Sequence, residues 1–167
     1  MKAKILWLPL ILTVLFALVL FAAAQAKEVK SNVAKGYKLT KCGTVVHVKS
    51  GLEWAPDPGN SMSWAKARKY VGKLDLCGHK DWKMPKITEI RQIYDEGITT
   101  DCKGKACHKG ESFHIHKGLK LGQCCPWTCS KDSDGNVQCL NFSTGNEGGM
   151  MENSPQRVLA VRKYKGK

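Results

Sequence analysis

Asp81-Trp82-Lys83-Met84-Pro85-Lys86-Ile87-Thr88-Glu89-Ile90 is the stretch on which the reading of the fold turns. Its first five residues read as a short extended piece ending at a proline. A helix then starts near Ile87 and carries Ile87, Ile90, Ile93 and Tyr94 inward, with Gly97 as its natural C-cap. Working upstream, a first helix opens at Ser63, a good N-cap. Trp64, Ala67, Val71 and Leu74 recur there at spacings of three and four, while Lys66, Arg68, Lys69 and Lys73 occupy much of the rest. Cys77-Gly78 ends it. Ala55 to Asn60 is a loop by its turn residues. Before it, Thr44-Val45-Val46-His47-Val48 is β-branched and reads as a strand, Lys49-Ser50-Gly51 as a turn, and Leu52-Glu53-Trp54 as extended chain.

Downstream, residues 98–124 show no sustained period and read as a long surface loop, of the kind that tends to carry function. A hairpin follows. Pro126-Trp127-Thr128 and Val137 to Phe142 flank Asp132-Ser133-Asp134-Gly135-Asn136, whose Asp-Gly pair is a turn signal. Residues 143–156 read as glycine-rich polar loop, Val158 to Arg162 as a last strand, and 164–167 as a basic tail. One strand, two helices and then more strands, with no internal repeat, give an α+β domain.

The ends of the chain say where it works. Lys2 and Lys4 form a positive start, Ile5 to Phe21 is uncharged and almost wholly apolar, and Ala24-Gln25-Ala26 is a small-x-small cleavage pattern. Residues 1–26 are therefore expected to be a signal peptide cut after Ala26. The alternative is an uncleaved membrane anchor, because the apolar run approaches spanning length. No cysteine stands directly after that run, so a lipoprotein anchor is not indicated. Residues 27–42 read as a flexible, lysine-spaced lead-in, and 43–163 as the domain. The destination is periplasmic or extracellular, with no stable membrane span after cleavage.

All eight cysteines lie beyond the cut, and an even number in an exported domain reads first as disulfides. Cys129 and Cys139 are equidistant from Asp134, so a simple hairpin sets them opposite one another and within bonding reach. Cys124 and Cys125 are expected to pair elsewhere, since neighbours seldom bond to each other. Cys102 with Cys107, and Cys42 with Cys77, are further pairings without geometric support in the sequence.

Cys102-x4-Cys107-His108 also has the form of a widely spaced site for covalent c-type haem, with His108 as proximal ligand. The disulfide is the favoured reading and no cofactor is expected. His108, His114 and His116 lie within nine residues and are candidates for a zinc or copper site, although no spacing matches a known ligand set. The Asp132–Asn136 run fails the calcium-loop pattern, because its glycine is misplaced and the closing glutamate is missing. No Ser-His-Asp, paired-carboxylate or phosphate-loop pattern stands out, which ranks an enzyme below a binding role.

The net charge of +13 favours attraction to polyanions, and outside the cytoplasm these are glycans, lipid headgroups or cell-wall polymers rather than nucleic acid. Lys103, Lys105, Lys109, Lys117 and Lys120 crowd one segment, and Arg162 and Lys163 another. If the two are neighbours they make one positive face, with Trp127 as the tryptophan placed to touch a ligand. Lysine dominance suits diffuse attraction rather than bidentate recognition.

Several segments carry a resemblance. Ser50-Gly51-Leu52-Glu53-Trp54, Trp64-Ala65-x-Ala67 through Leu74, Asp81 to Ile90, Pro126-Trp127-Thr128-Cys129 and Val158 to Arg162 resemble, in order, the motifs of the Lcl C-terminal domain family, named for Legionella collagen-like adhesins. The resemblance implies a bacterial C-type-lectin-like domain related to sulfatase-modifying factors. That is two helices packed on a small twisted antiparallel sheet, with long loops and disulfides. In the naming adhesin the domain is tied to trimer formation and to binding sulfated glycosaminoglycans. The family's usual cysteine pair would fall at Val71 and Ala160, so that bridge is lost here. The resulting expectation is an exported non-enzymatic domain that binds anionic, sulfated polysaccharide or another surface polymer, and that can form a homo-oligomer. The alternatives are an exported redox, metal or haem protein using Cys102–His116, and a structural envelope component.

Overall fold

Trp82–Pro85 is indeed extended, and it ties two parts of the molecule together. In the computed structural model, which describes residues 17, 20, 21, 36–103 and 107–166, Lys83 exchanges both backbone hydrogen bonds with Val161 at 2.9 Å, and the Pro85 carbonyl accepts the Cys129 N–H at 2.8 Å. Side chains alternate across this strip as the period of an extended chain requires. Trp82 and Met84 are buried, whereas Lys83 is exposed.

The strip borders a four-stranded antiparallel sheet in the order β1-β2-β3-β8, with β1 Tyr37–Leu39, β2 Val45–His47, β3 Leu52–Trp54 and β8 Val161–Lys163. Gly51, at φ +66°, supplies the left-handed residue of the β2–β3 turn and donates its N–H to the His47 carbonyl at 3.0 Å. The register sets Glu53 opposite Arg162 and Trp54 opposite Val161. Two small antiparallel pairs complete the β structure: β4 Thr100–Asp101 with β5 Ser112–Phe113, and β6 Val137–Leu140 with β7 Glu147–Met150.

Among the described residues, two α-helices belong to the domain. The first, α1, spans Trp64–Gly72, with Ser63 as an extended N-cap residue. Ala67 and Val71 face the core, and the Trp64 indole donates to the Thr128 carbonyl at 2.8 Å. It stops at Gly72, five residues before Cys77-Gly78. Those two both have positive φ and form the centre of a tight Leu76–His79 turn. The second helix, α2, is a single turn, Ile87–Ile90, continued by a 3-10 turn at Arg91–Ile93. Glu89 reaches back to accept the Lys86 N–H at 2.8 Å, and Ile90 and Ile93 are fully buried. Tyr94 ends this helix, so Gly97 lies beyond it and donates instead to the Asp95 carboxylate.

Two apolar clusters form the core. One gathers Trp54, Ile90, Ile93, Phe113, Phe142 and Leu159, and the other Ala67, Val71, Trp82, Trp127, Val158 and Ala160. Val71 and Ala160, where the family's cysteines would stand, share the second cluster, so buried apolar side chains fill both positions. The architecture is thus mixed α and β, with two helices, small antiparallel sheets and disulfides. Among the described residues no helix is long and apolar enough to cross a membrane. Apart from residues 17, 20 and 21, the expected leader, its cleavage point and its anchor alternative lie outside the described residues, as do 27–35, Lys105 and Lys167.

Several expectations need correction. The lead-in is not flexible throughout: β1 pairs with β2 and buries Tyr37 between the rings of His47 and His116, at 4.9 and 5.0 Å. The 98–124 segment is not a surface loop. Phe113, Ile115, Leu119 and Leu121 anchor it in the core. Residues 143–156 contain β7, which exists because it pairs with β6 rather than through its own propensity.

The cysteines differ too. Cys42 bonds Cys77, Cys102 bonds Cys107, and Cys124 bonds its neighbour Cys125. Cys129 and Cys139 are both free, the first exposed and the second buried. The turn is centred on Asp134 as expected, since Lys131 bridges Val137 and the Ser130 carbonyl accepts the Gln138 N–H. Cys129 leaves this ladder because its N–H is taken by Pro85, so its thiol never comes to face Cys139.

A cationic groove between the first helix and the Trp82 strip

Helix α1, the Trp82–Lys86 strip and Cys129 enclose an open groove of about 350 Å³. Val71, Trp82 and Met84 line it with apolar side chains, each under 10 % exposed, so that only their edges show. Gly72 contributes no side chain. Arg68 comes from the helix, and Lys83 and Lys86 from the strip. The positions follow from local geometry: Arg68 and Gly72 are one helical turn apart, and Lys83 is the outward residue of the extended strip.

The three cations are not equivalent. Lys83 Nζ is held by Glu89 at 2.6 Å. Arg68 lies over the Trp64 ring at 4.8 Å, with Lys131 over the same ring at 5.0 Å. Lys131 in turn pairs with Glu152 at 2.6 Å. Among the described residues no carboxylate lies within ion-pair distance of Arg68 or Lys86, nor of Lys66, Lys69 and Lys73, which are exposed on α1 or at its end. Cys129, exposed and with a free thiol, lines the same groove.

The expected basic face is reduced by the structure. Arg162 is not a surface residue. It is 3 % exposed, donates through Nη1 to Glu53 and through Nε to Asp81 at 2.7 Å, and sits over the Trp82 ring at 5.7 Å. Glu53 also accepts the Thr44 hydroxyl at 2.6 Å. The Arg162 guanidinium holds the Asp81 carboxyl below the usual carboxylate range. Trp127 is fully buried and donates its indole N–H to the Met62 carbonyl at 2.7 Å, so it cannot meet a ligand. Lys103, Lys109, Lys117, Lys120 and Lys163 are exposed.

The histidines are not gathered either. His108 is exposed, and its backbone N–H donates to Glu111 at 2.9 Å. The His114 ring is bound to the Ile98 carbonyl at 3.0 Å and packs edge-on to Tyr94, whereas His116 is buried on Tyr37 and its Nδ1 accepts the Gly118 N–H. Cys102, Cys107 and Glu111 do lie together, but the two sulfurs are bonded to each other and offer neither thiolate for a metal nor thiol for a haem thioether. A second polar cluster escaped sequence reasoning. Asp57 accepts the N–H groups of Gly59 and Gly122 at 2.8 and 3.0 Å beside the buried Arg157, and burial pushes its carboxyl up. The groove was also missed. Its signal was the run of cations on α1 combined with an outward Lys83, which become neighbours only through the tertiary contact.

No curated protein matches the chain. The model of the Lcl C-terminal domain matches residues 43–162, from just after β1 to the middle of β8. With most of the chain inside that match, and with β2, β3, both helices and the buried Trp54, Trp82 and Trp127 all within it, the protein belongs to the Lcl C-terminal domain family.

Proposed function

We propose that this is an exported, non-enzymatic binding domain, of C-type-lectin-like fold, that holds an anionic polymer such as sulfated polysaccharide. An adhesin-type domain family supports a binding role. The observation that carries the reading is the distribution of charge. Glu53, Asp57 and Asp81 face arginines, while Asp75, Glu89, Glu147 and Glu152 each face a surface cation. Much of the acid complement is thereby engaged, leaving exposed cations around α1 without carboxylate partners among the described residues. Lys103, Lys109, Lys117, Lys120 and Lys163 extend the cationic surface. Three disulfides suit an oxidising compartment, in line with export.

The α1 face is the better seat for the polymer, because cations there flank an apolar floor. The test is affinity of the full chain for a heparin-like polymer, with a desulfated form as control. Exposed charge contacts contribute roughly 0–1 kcal/mol each. Replacing Lys66, Lys69 and Lys73 together by alanine should weaken binding about tenfold, the equivalent of about 1.4 kcal/mol. Replacing Lys103, Lys109 and Lys120 should cost less. Equal losses from the two sets would mean attraction by net charge alone, and absence of binding at low salt would refute the function.

A further inference from the structure

We infer that the groove between α1 and the Trp82 strip is a discrete subsite for one acidic sugar unit of that polymer, seated against Val71, Trp82 and Met84 with its acid group on Arg68 and Lys86. The inference rests on the polyanion reading above and adds a specific seat to it. Elsewhere on the face the helix lysines stand in open solvent, so they can attract a polymer without orienting it. The groove is different in three respects. At about 350 Å³ it lies at the small end of ligand-site volumes. Its floor shows only the edges of three buried side chains, a shallow apolar strip that suits the C–H face of a ring and gives an acyl chain nowhere to enter. Its rim holds two cations, Arg68 and Lys86, without carboxylate partners among the described residues. The third, Lys83, is already neutralised by Glu89. Arg68 is also the cation with a planar fork able to take a carboxylate or sulfate bidentately, and its place over the Trp64 ring limits where that fork can point.

Cys129 supplies a built-in reporter, because this exposed residue lines the groove with its thiol free while the only other free cysteine, Cys139, is buried. The experiment is alkylation of the native full chain by N-ethylmaleimide, a small neutral reagent, with the labelled residue identified by peptide mapping. At a heparin-derived oligosaccharide concentration about ten times its Kd, the vacant groove falls to about one tenth and Cys129 labelling should slow about tenfold. Dextran, which is neutral, should leave the rate unchanged. In an Arg68→Ala/Lys86→Ala chain the protection should disappear, while Lys66→Ala/Lys73→Ala should keep it at matched occupancy. Unchanged labelling while the oligosaccharide is demonstrably bound would overturn the subsite and leave the polyanion reading standing. Failure of the oligosaccharide and the parent polymer to bind at all would overturn both. Protection that survives loss of Arg68 and Lys86 would mean that these cations do not hold the acid group and likewise overturn the subsite.

Discussion

Replacing Arg162 by alanine separates a structural role from a binding one. The side chain is 3 % exposed, opposite Glu53 in the β3–β8 ladder. Its removal leaves the buried Glu53 carboxylate with the Thr44 hydroxyl as its remaining side-chain partner and takes a cation from the face of Trp82. Breaking a buried ion pair by deleting one partner costs about 3–5 kcal/mol. For a domain of this size about 3 °C accompanies each kcal/mol, so the thermal midpoint should fall by about 10–15 °C. Removing both charges, as in Glu53→Gln/Arg162→Met, should cost less than Arg162→Ala alone, because no buried charge is then left unpaired. Circular dichroism melts of the full chains measure this, with polymer affinity determined below the transition. The affinity of Arg162→Ala should match wild type. A variant with an unchanged midpoint and weakened polymer binding would refute the argument and return Arg162 to the surface.

Other consequences can be checked separately. Trp127→Phe loses the 2.7 Å bond to the Met62 carbonyl and should destabilise by about 1–2 kcal/mol in denaturant titration, without altering polymer affinity. Thiol titration should find one group reacting in the native protein, Cys129, and a second, Cys139, only after unfolding; two reactive native thiols would contradict the burial of Cys139. Burial, and then Lys49, hold His47 below the ordinary imidazole range against the opposing pull of Asp95. The unfolded chain therefore takes up this proton first, so the contribution of His47 to stability is complete above about pH 6.5 and is lost as pH falls below it. The thermal midpoint should begin to drop as pH falls through about 6.5, and His47→Gln should flatten that drop.

The elements legible in the sequence are those whose signals are local. β2 declares itself by Val45 and Val46, α1 by the spacing of Trp64, Ala67 and Val71, and the 132–136 turn by its Asp-Gly pair. What failed depends on distant partners. β1 is three residues, Tyr37-Lys38-Leu39, inside a lysine-rich run, and only pairing with β2 makes it a strand. β7 is Glu-Gly-Gly-Met and has no propensity to be one. The turn register that suggested a Cys129–Cys139 bridge is present, yet Pro85, more than forty residues away in sequence, takes the Cys129 N–H and ends the ladder. The 98–124 segment did carry a readable signal, since Phe113 and Ile115, then Leu119 and Leu121, recur at intervals of two and are all buried. Arg162 and Trp127 were assigned to the surface because a sequence cannot show that Glu53, Asp81 and the Met62 carbonyl await them.

The central claim is that this domain recognises anionic polymer through clustered cations. Titration of the full chain with a heparin-like polymer across a range of ionic strength tests it most directly. Saturable binding is expected at low salt, weakening steadily as the screening length contracts from about 30 Å at 0.01 M to about 8 Å at 0.15 M. Absence of binding at the lowest ionic strength, or an affinity indifferent to salt, would contradict it.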